Sequence, residues 1–129
     1  MSVDHYFSQV RALLGACAVA STWTMTEEQR TASTGFLRAY VGFLDDSVLH
    51  IREYLDLDAA EPRLMYSYTY LDAQGKLRFR YDNTDHHRRL HLPTHPHHKH
   101  AGAEENVVAS AAPTLDVVLA EVELMVPLT

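Results

Sequence analysis

Five histidines, His91, His95, His97, His98 and His100, fall within ten positions of one another, with Pro93, Pro96 and Lys99 between them. His86 and His87 lie just upstream, beyond Arg80, Asp82 and Asp85. Imidazole exchanges a proton near neutral pH and is the commonest nitrogen ligand for metals. Three arrangements fit such a cluster: a metal cage, an acid and base for phosphate chemistry, and a polar loop anchored by hydrogen-bonded imidazoles.

A metal would have to be held by histidine and carboxylate, because the single cysteine, Cys17, excludes both a cysteine-rich zinc site and an intrachain disulfide. His95, His97, His98 and His100 could supply nitrogens, with Asp82, Asp85, His86 and His87 as partners. Adjacent residues of an extended chain point to opposite sides. At most one of His86 and His87, and two from residues 95–100, could therefore converge. The chain has no helical pair of histidines four residues apart and no glutamate-bearing zincin signature. The expectation is a protein with no required cofactor, with a divalent metal held through the histidine cluster as the alternative.

Phosphate chemistry has requirements that these residues meet more fully. Cutting an RNA backbone without metal needs a base for the 2′-hydroxyl proton, an acid for the leaving oxygen, and fixed cations beside the phosphorane. His97, His98, His100 or His86 could serve the first two needs, and Arg80, Arg78 or Lys99 the third. Charge distribution agrees. The chain carries a net charge of -6, yet residues 76–100 hold 6 basic and 2 acidic residues, while residues 1–75 hold 5 and 10 and residues 101–129 hold 0 and 5. A cationic island on an acidic protein suits a polyanion, although basic residues alternating on an exposed strand would look the same.

The elements that must position these groups follow from periodicity. Val3, Tyr6, Phe7, Val10, Leu13, Leu14 and Cys17 recur at helical spacing behind Ser2, a helix N-cap, and predict a helix to about Ala20. Residues 21–34, rich in threonine and serine, read as a connector with one short extended piece around Trp23. Strand-like runs at residues 36–44 and 48–57 flank Asp45-Asp46-Ser47, and runs at 65–71 and 76–82 flank Asp72-Ala73-Gln74-Gly75. Closing the second hairpin on Leu71 and Lys76 would pair Tyr70 with Leu77, Tyr68 with Phe79 and Tyr66 with Tyr81, making one face aromatic or apolar. Thr69 with Arg78, Ser67 with Arg80 and Met65 with Asp82 would share the other face. Similarly, His50, Arg52 and Tyr54 fall opposite an apolar face on which Glu53 is the exception. A polar connection then runs to about Ala112, too long to be idle in a compact domain. Pro113-Thr114 opens a last helix with Leu115, Val118, Leu119 and Val122 as its stripe.

The expected fold is a single α+β domain over residues 1–129: an N-terminal helix, a four-stranded antiparallel meander, a long histidine-rich loop and a C-terminal helix on one sheet face. By analogy this is the layout of RelE-like and barnase-like ribonucleases. Residues 12–20, an early apolar run, are too few to span a membrane, are interrupted by Gly15 and follow no basic region, so a cytoplasmic protein without a membrane partner is expected. Exposed edge strands would suit a homodimer.

Arg80-Tyr81-Asp82-Asn83, then His86-His87, then Leu92-Pro93-Thr94 and Pro96-His97-His98-Lys99-His100 together resemble the TumE family of small bacterial toxins from toxin-antitoxin pairs. Ile51-Arg52-Glu53-Tyr54 and Tyr66-Ser67-Tyr68-Thr69-Tyr70 look like that family's earlier strands. The resemblance runs from about Gly35 to the end of the last helix. It implies a growth-inhibiting toxin neutralised by a cognate protein antitoxin, and carries function to Arg80, Asp82, Asn83, His86, His87, His97, His98, Lys99 and His100. It does not extend to His91 and His95, because the chain departs from the family pattern at Arg88-Arg89 and His95. The leading expectation is an endoribonuclease. The alternatives are a metal-dependent nuclease or nucleotidyltransferase, and a non-enzymatic module that clasps a partner.

Overall fold

The protein is described by a computed structural model covering residues 1–85 and 90–128. Ser2 Oγ accepts from the His5 N–H at 3.1 Å and starts helix α1 (Val3–Ala16), whose buried stripe is Val3, Phe7, Val10 and Leu14. The helix stops four residues before the expected end near Ala20, because Cys17 turns to extended backbone as the chain enters the sheet.

Seven strands follow: β1 (Ala20–Gln29), β2 (Thr34–Phe43), β3 (Val48–Asp56), β4 (Arg63–Leu71), β5 (Leu77–Asp82), β6 (His98–Ala101) and β7 (Val107–Ala109), before helix α2 (Leu115–Glu123). They form one antiparallel sheet in sequence order, so each strand pairs with the next. The α+β class and terminal helices are as expected, but among the described residues the sheet has seven strands rather than four.

The three additional strands occupy the two segments read as connections. In β1 the residues taken for loop formers are β-branched threonines on an edge strand with a solvated face, where they suit extended backbone. On the other side of β1, Met25 packs on the core and Glu27 ion-pairs with Arg11 of α1. The long polar connection folds into the β6–β7 hairpin, whose alternation is carried by buried histidines where apolar residues would be expected.

The β4–β5 pairing also differs from expectation. Asp72 and Lys76, rather than Leu71 and Lys76, close the turn, with Lys76 N–H and Gln74 N–H both donating to Asp72 Oδ1 at 2.9 Å and Gly75 at φ 81°. One slip alone would turn every side chain to the wrong face. An irregularity between Tyr70↔Phe79 and Leu71↔Leu77 leaves Arg78 as the extra residue and restores the alternation. Tyr68 therefore faces Tyr81, and Thr69 faces Arg80, two places from the simple pairing but on the expected faces.

Both helices lie on one face, over Leu37, Val41, Leu49, Ile51, Tyr66, Tyr68 and Phe79. Glu53, the exception on this apolar face, is fully buried and accepts hydroxyl hydrogen bonds from Tyr6 of α1 and Tyr68 of β4. Arg63 donates to Tyr68 and to the carbonyls of Ala112 and Pro113, pinning the approach to α2 against β4. The opposite face carries neither helix and is open except where Asp82, His98 and His100 are buried. There the pairings align Arg38, Arg52, Ser67, Asp82 and His98 in one cross-strand row and Tyr40, His50, Thr69, Arg80 and His100 in the next.

Candidate active site

β5 and β6 pair Arg80 with His100 and Asp82 with His98, so the two-residue repeat turns these four side chains to the open face. Asp82 Oδ1 stands 2.8 Å from His98 Nε2, and Asp82 Oδ2 stands 3.6 Å from His100 Nε2. The imidazoles meet edge to face with centroids 5.0 Å apart. Oδ1 also accepts from the Thr84 N–H at 3.0 Å and the Thr84 hydroxyl at 2.9 Å, which fixes the carboxylate.

The remaining ring nitrogens face the backbone. His98 Nδ1 lies 2.9 Å from the Pro96 carbonyl oxygen, and His100 Nδ1 lies 2.7 Å from that of Glu104. A carbonyl can only accept, so each Nδ1 carries its proton and each Nε2 is left on the side of the ring nearer Asp82. Asp82, His98 and His100 are all buried.

A cleft of about 530 Å³ is lined by Asp82 and His100 of this trio together with Thr84, Arg52, Met65, Ser67, Arg80 and Glu104. Arg80 is held on two sides, donating from Nε to Thr69 Oγ1 at 2.9 Å and from a terminal nitrogen to Glu104 Oε2 at 2.7 Å. Asn83 serves the backbone, accepting from the Tyr66 N–H at 3.0 Å and donating to the Leu64 carbonyl at 3.2 Å.

Of the residues singled out in the sequence, Arg80, Asp82, His98 and His100 are brought together. His97 and Lys99 alternate to the helix side. His97 stacks on Tyr66, with Nδ1 2.8 Å from its hydroxyl, beside a separate pocket of about 230 Å³ that Arg63 and Glu61 also line. Burial pushes Tyr66 up to about 12, with Asp82 and Glu61 adding to the rise against Arg63, so its hydroxyl stays protonated at neutral pH. Lys99 reaches Glu121 of α2 at 3.4 Å and lies over the Tyr81 ring. His95 Nε2 pairs with Asp85 at 2.6 Å, away from the trio's pairings, and His91 is exposed. His86 and His87 lie outside the described residues.

Arg52, Ser67, Thr84 and Glu104 also belong to the cleft, though the sequence reading gave none of them a role. Arg52 was legible through its alternation with His50 and Tyr54. Glu104 had no local signal, because it reaches Arg80 only through the turn after β6.

These features define a small α+β protein with an arginine- and histidine-bearing site on its open sheet face. The chain belongs to the TumE family: residues 9–126, nearly its whole length, match the family model described as Toxin TumE. Comparison with curated proteins and with solved structures finds no match. Among the described residues no helix is long and apolar enough to cross a membrane.

Proposed function

We propose that this toxin acts on RNA as an endoribonuclease, with the RNA backbone entering the cleft in front of Asp82 and His100. The observation supporting this reading is the juxtaposition of two arginines with a buried carboxylate and the His100 imidazole along one cleft of an acidic protein, with His98 against the same carboxylate. Arg52 and Arg80 are placed to hold a phosphate and to offset the charge that grows on its oxygens as the phosphorane forms. His100, which lines the cleft, takes the proton of the attacking 2′-hydroxyl. The 2′-oxygen bonds to phosphorus, the bond to the 5′-oxygen breaks, and the departing oxygen takes its proton from water in the cleft, while His100 later returns its own proton to solvent. Asp82 orients His100 and compensates its charge, while His98 acts behind Asp82 as a positioning residue.

A protein antitoxin would then work by covering this face or by rearranging its turns. The test is incubation of purified, untagged protein with single-stranded RNA in excess chelator. Cleavage that His100→Ala abolishes is expected. Intact RNA in every condition, from a protein that still arrests growth when expressed, would overturn the reading and leave partner capture as the toxin's action.

A further inference from the structure

We propose that Asp82, His98 and His100 form a binding site for one divalent transition-metal ion, with Zn2+ as the probe. The inference uses the same side chains as the proposed reaction but does not depend on RNA being the substrate.

The argument starts from the outer bonds of the two imidazoles. Each Nδ1 gives its proton to a backbone carbonyl, Pro96 in one case and Glu104 in the other. A neutral imidazole so held presents a lone pair at Nε2, and both Nε2 atoms lie close to one carboxylate. Three electron-rich groups thus converge in a buried place, where positive charge among them is favourable. One divalent ion satisfies all three groups together.

The dimensions fit. One ligand atom from each residue lies within 4.8 Å of the others. Nitrogen and oxygen ligands about 2.1 Å from a tetrahedral ion stand roughly 3.4 Å apart. The 3.6 Å between Asp82 Oδ2 and His100 Nε2 is close to that spacing, while the 2.8 Å between Asp82 Oδ1 and His98 Nε2 must open by about half an ångström. A carbonyl bonded to the far ring nitrogen is the usual outer partner that orients a ligating imidazole. Two imidazoles and a carboxylate suit zinc and its first-row neighbours better than magnesium or calcium. Adjacent paired strands hold the three residues, and the ion's remaining position would face the cleft that Asp82 and His100 line.

The ion would occupy the Nε2 lone pair that the proposed reaction uses, so the loaded protein should cut RNA more slowly than the chelated one. Untagged protein, stripped with chelator and then given one equivalent of Zn2+, is examined by native mass spectrometry and by competition with a chromophoric chelator. One ion per chain is expected, with affinity falling at least about 100-fold in Asp82→Asn and His100→Ala, beyond the loss typical of an outer partner. His97→Ala, on the opposite face, should bind as the parent does. Circular dichroism checks each fold, and near-isosteric Asp82→Asn keeps the test usable where truncation unfolds the chain. No uptake by the parent, or undiminished uptake by both folded site variants, overturns the metal site. If zinc binds as described but RNA is cut only by the loaded form, the site stands and the metal-free role of His100 falls. If chelated protein cuts RNA but takes up no zinc, the metal site falls and the proposed reaction stands.

Discussion

Asp82 and His98, paired directly across β5 and β6, place a carboxylate oxygen 2.8 Å from an imidazole nitrogen in a part of the sheet where neither residue is appreciably exposed. Removing the charge of Asp82 while keeping its shape leaves two buried imidazoles without their carboxylate. Asp82→Asn should therefore lower stability by about 1–3 kcal/mol, the usual cost of a disrupted buried polar partner. It should also abolish growth arrest. Urea denaturation and an induction assay measure the two effects, and a variant of parental stability would show that the trio contributes nothing to the fold.

The alternation of β6 separates histidines that the sequence leaves equivalent. His100→Ala should reduce RNA cleavage by roughly 10²–10⁴-fold, the range expected when a proton-transfer group is lost. Lys99→Ala should stay within about threefold, because its amine lies against Glu121 and Tyr81 on the helix side. Initial rates on one fluorescent single-stranded RNA compare the two. A loss in Lys99→Ala as deep as that in His100→Ala would mean that the reacting surface is the helix side of β6.

Much of the fold was legible because apolar alternation is a strong signal wherever one face of a strand is buried. The tyrosines of β4, with Phe79, marked the core face correctly, and that assignment survived a two-residue shift in pairing because side-chain direction repeats every two residues. What escaped were elements whose inward residues are polar. His98 and His100 are buried like core residues, yet their type suggests a solvated loop. In β1 the threonines concealed an edge strand. The site was legible in its members more than in its partition: Arg80 and Asp82 were placed on the open face by alternation, whereas the separation of His97 and Lys99 from His98 and His100 required knowing that residues 98–101 form a strand.

Glu104 lies against Arg80 as a substrate phosphate would. Its carboxylate is more than half exposed and accepts from the guanidinium at 2.7 Å, so the pair contributes little to stability, about 0–1 kcal/mol. It also neutralises a cation that RNA needs. Glu104→Gln should tighten binding of single-stranded RNA by roughly three- to tenfold and steepen its salt dependence by about one phosphate contact. Fluorescence anisotropy at several salt concentrations measures both. Unchanged affinity would place the RNA backbone away from Arg80.

Glu53 gives the fold a pH dependence of definite sign. Burial raises its pKa above the ordinary carboxylate value, and the hydrogen bonds from Tyr6 and Tyr68 and the charge of Arg63 oppose that rise without cancelling it. The folded protein therefore holds a proton that the unfolded chain releases at lower pH. Stability conferred through this group is full below the unfolded value and declines as pH rises toward the folded value. Glu53→Gln should flatten that decline, because an amide of the same shape does not ionise. Urea denaturation at intervals from pH 4 to 8 measures the slope, and equal slopes for both proteins would show that Glu53 titrates alike in the folded and unfolded states.

Gly35 sets how closely α1 approaches the sheet that carries the site. A Cβ there would lie 2.8 Å from the Glu28 carbonyl oxygen on the neighbouring strand, 2.9 Å from Cζ of Phe7 and 3.1 Å from Cγ2 of Val3. The first contact is with backbone that pairing holds in place, and the others are with two of the four buried residues of the helix. Relief requires α1 to move outward, which would also disturb the hydroxyl that Tyr6 gives to Glu53. Gly35→Ala should cost about 1–3 kcal/mol through overpacking, without touching the cleft on the opposite face. Cleavage per folded molecule should therefore stay at the parental level while the urea midpoint falls. A fall in specific activity at full folding would show that the position of α1 is felt across the sheet by Asp82 and His100.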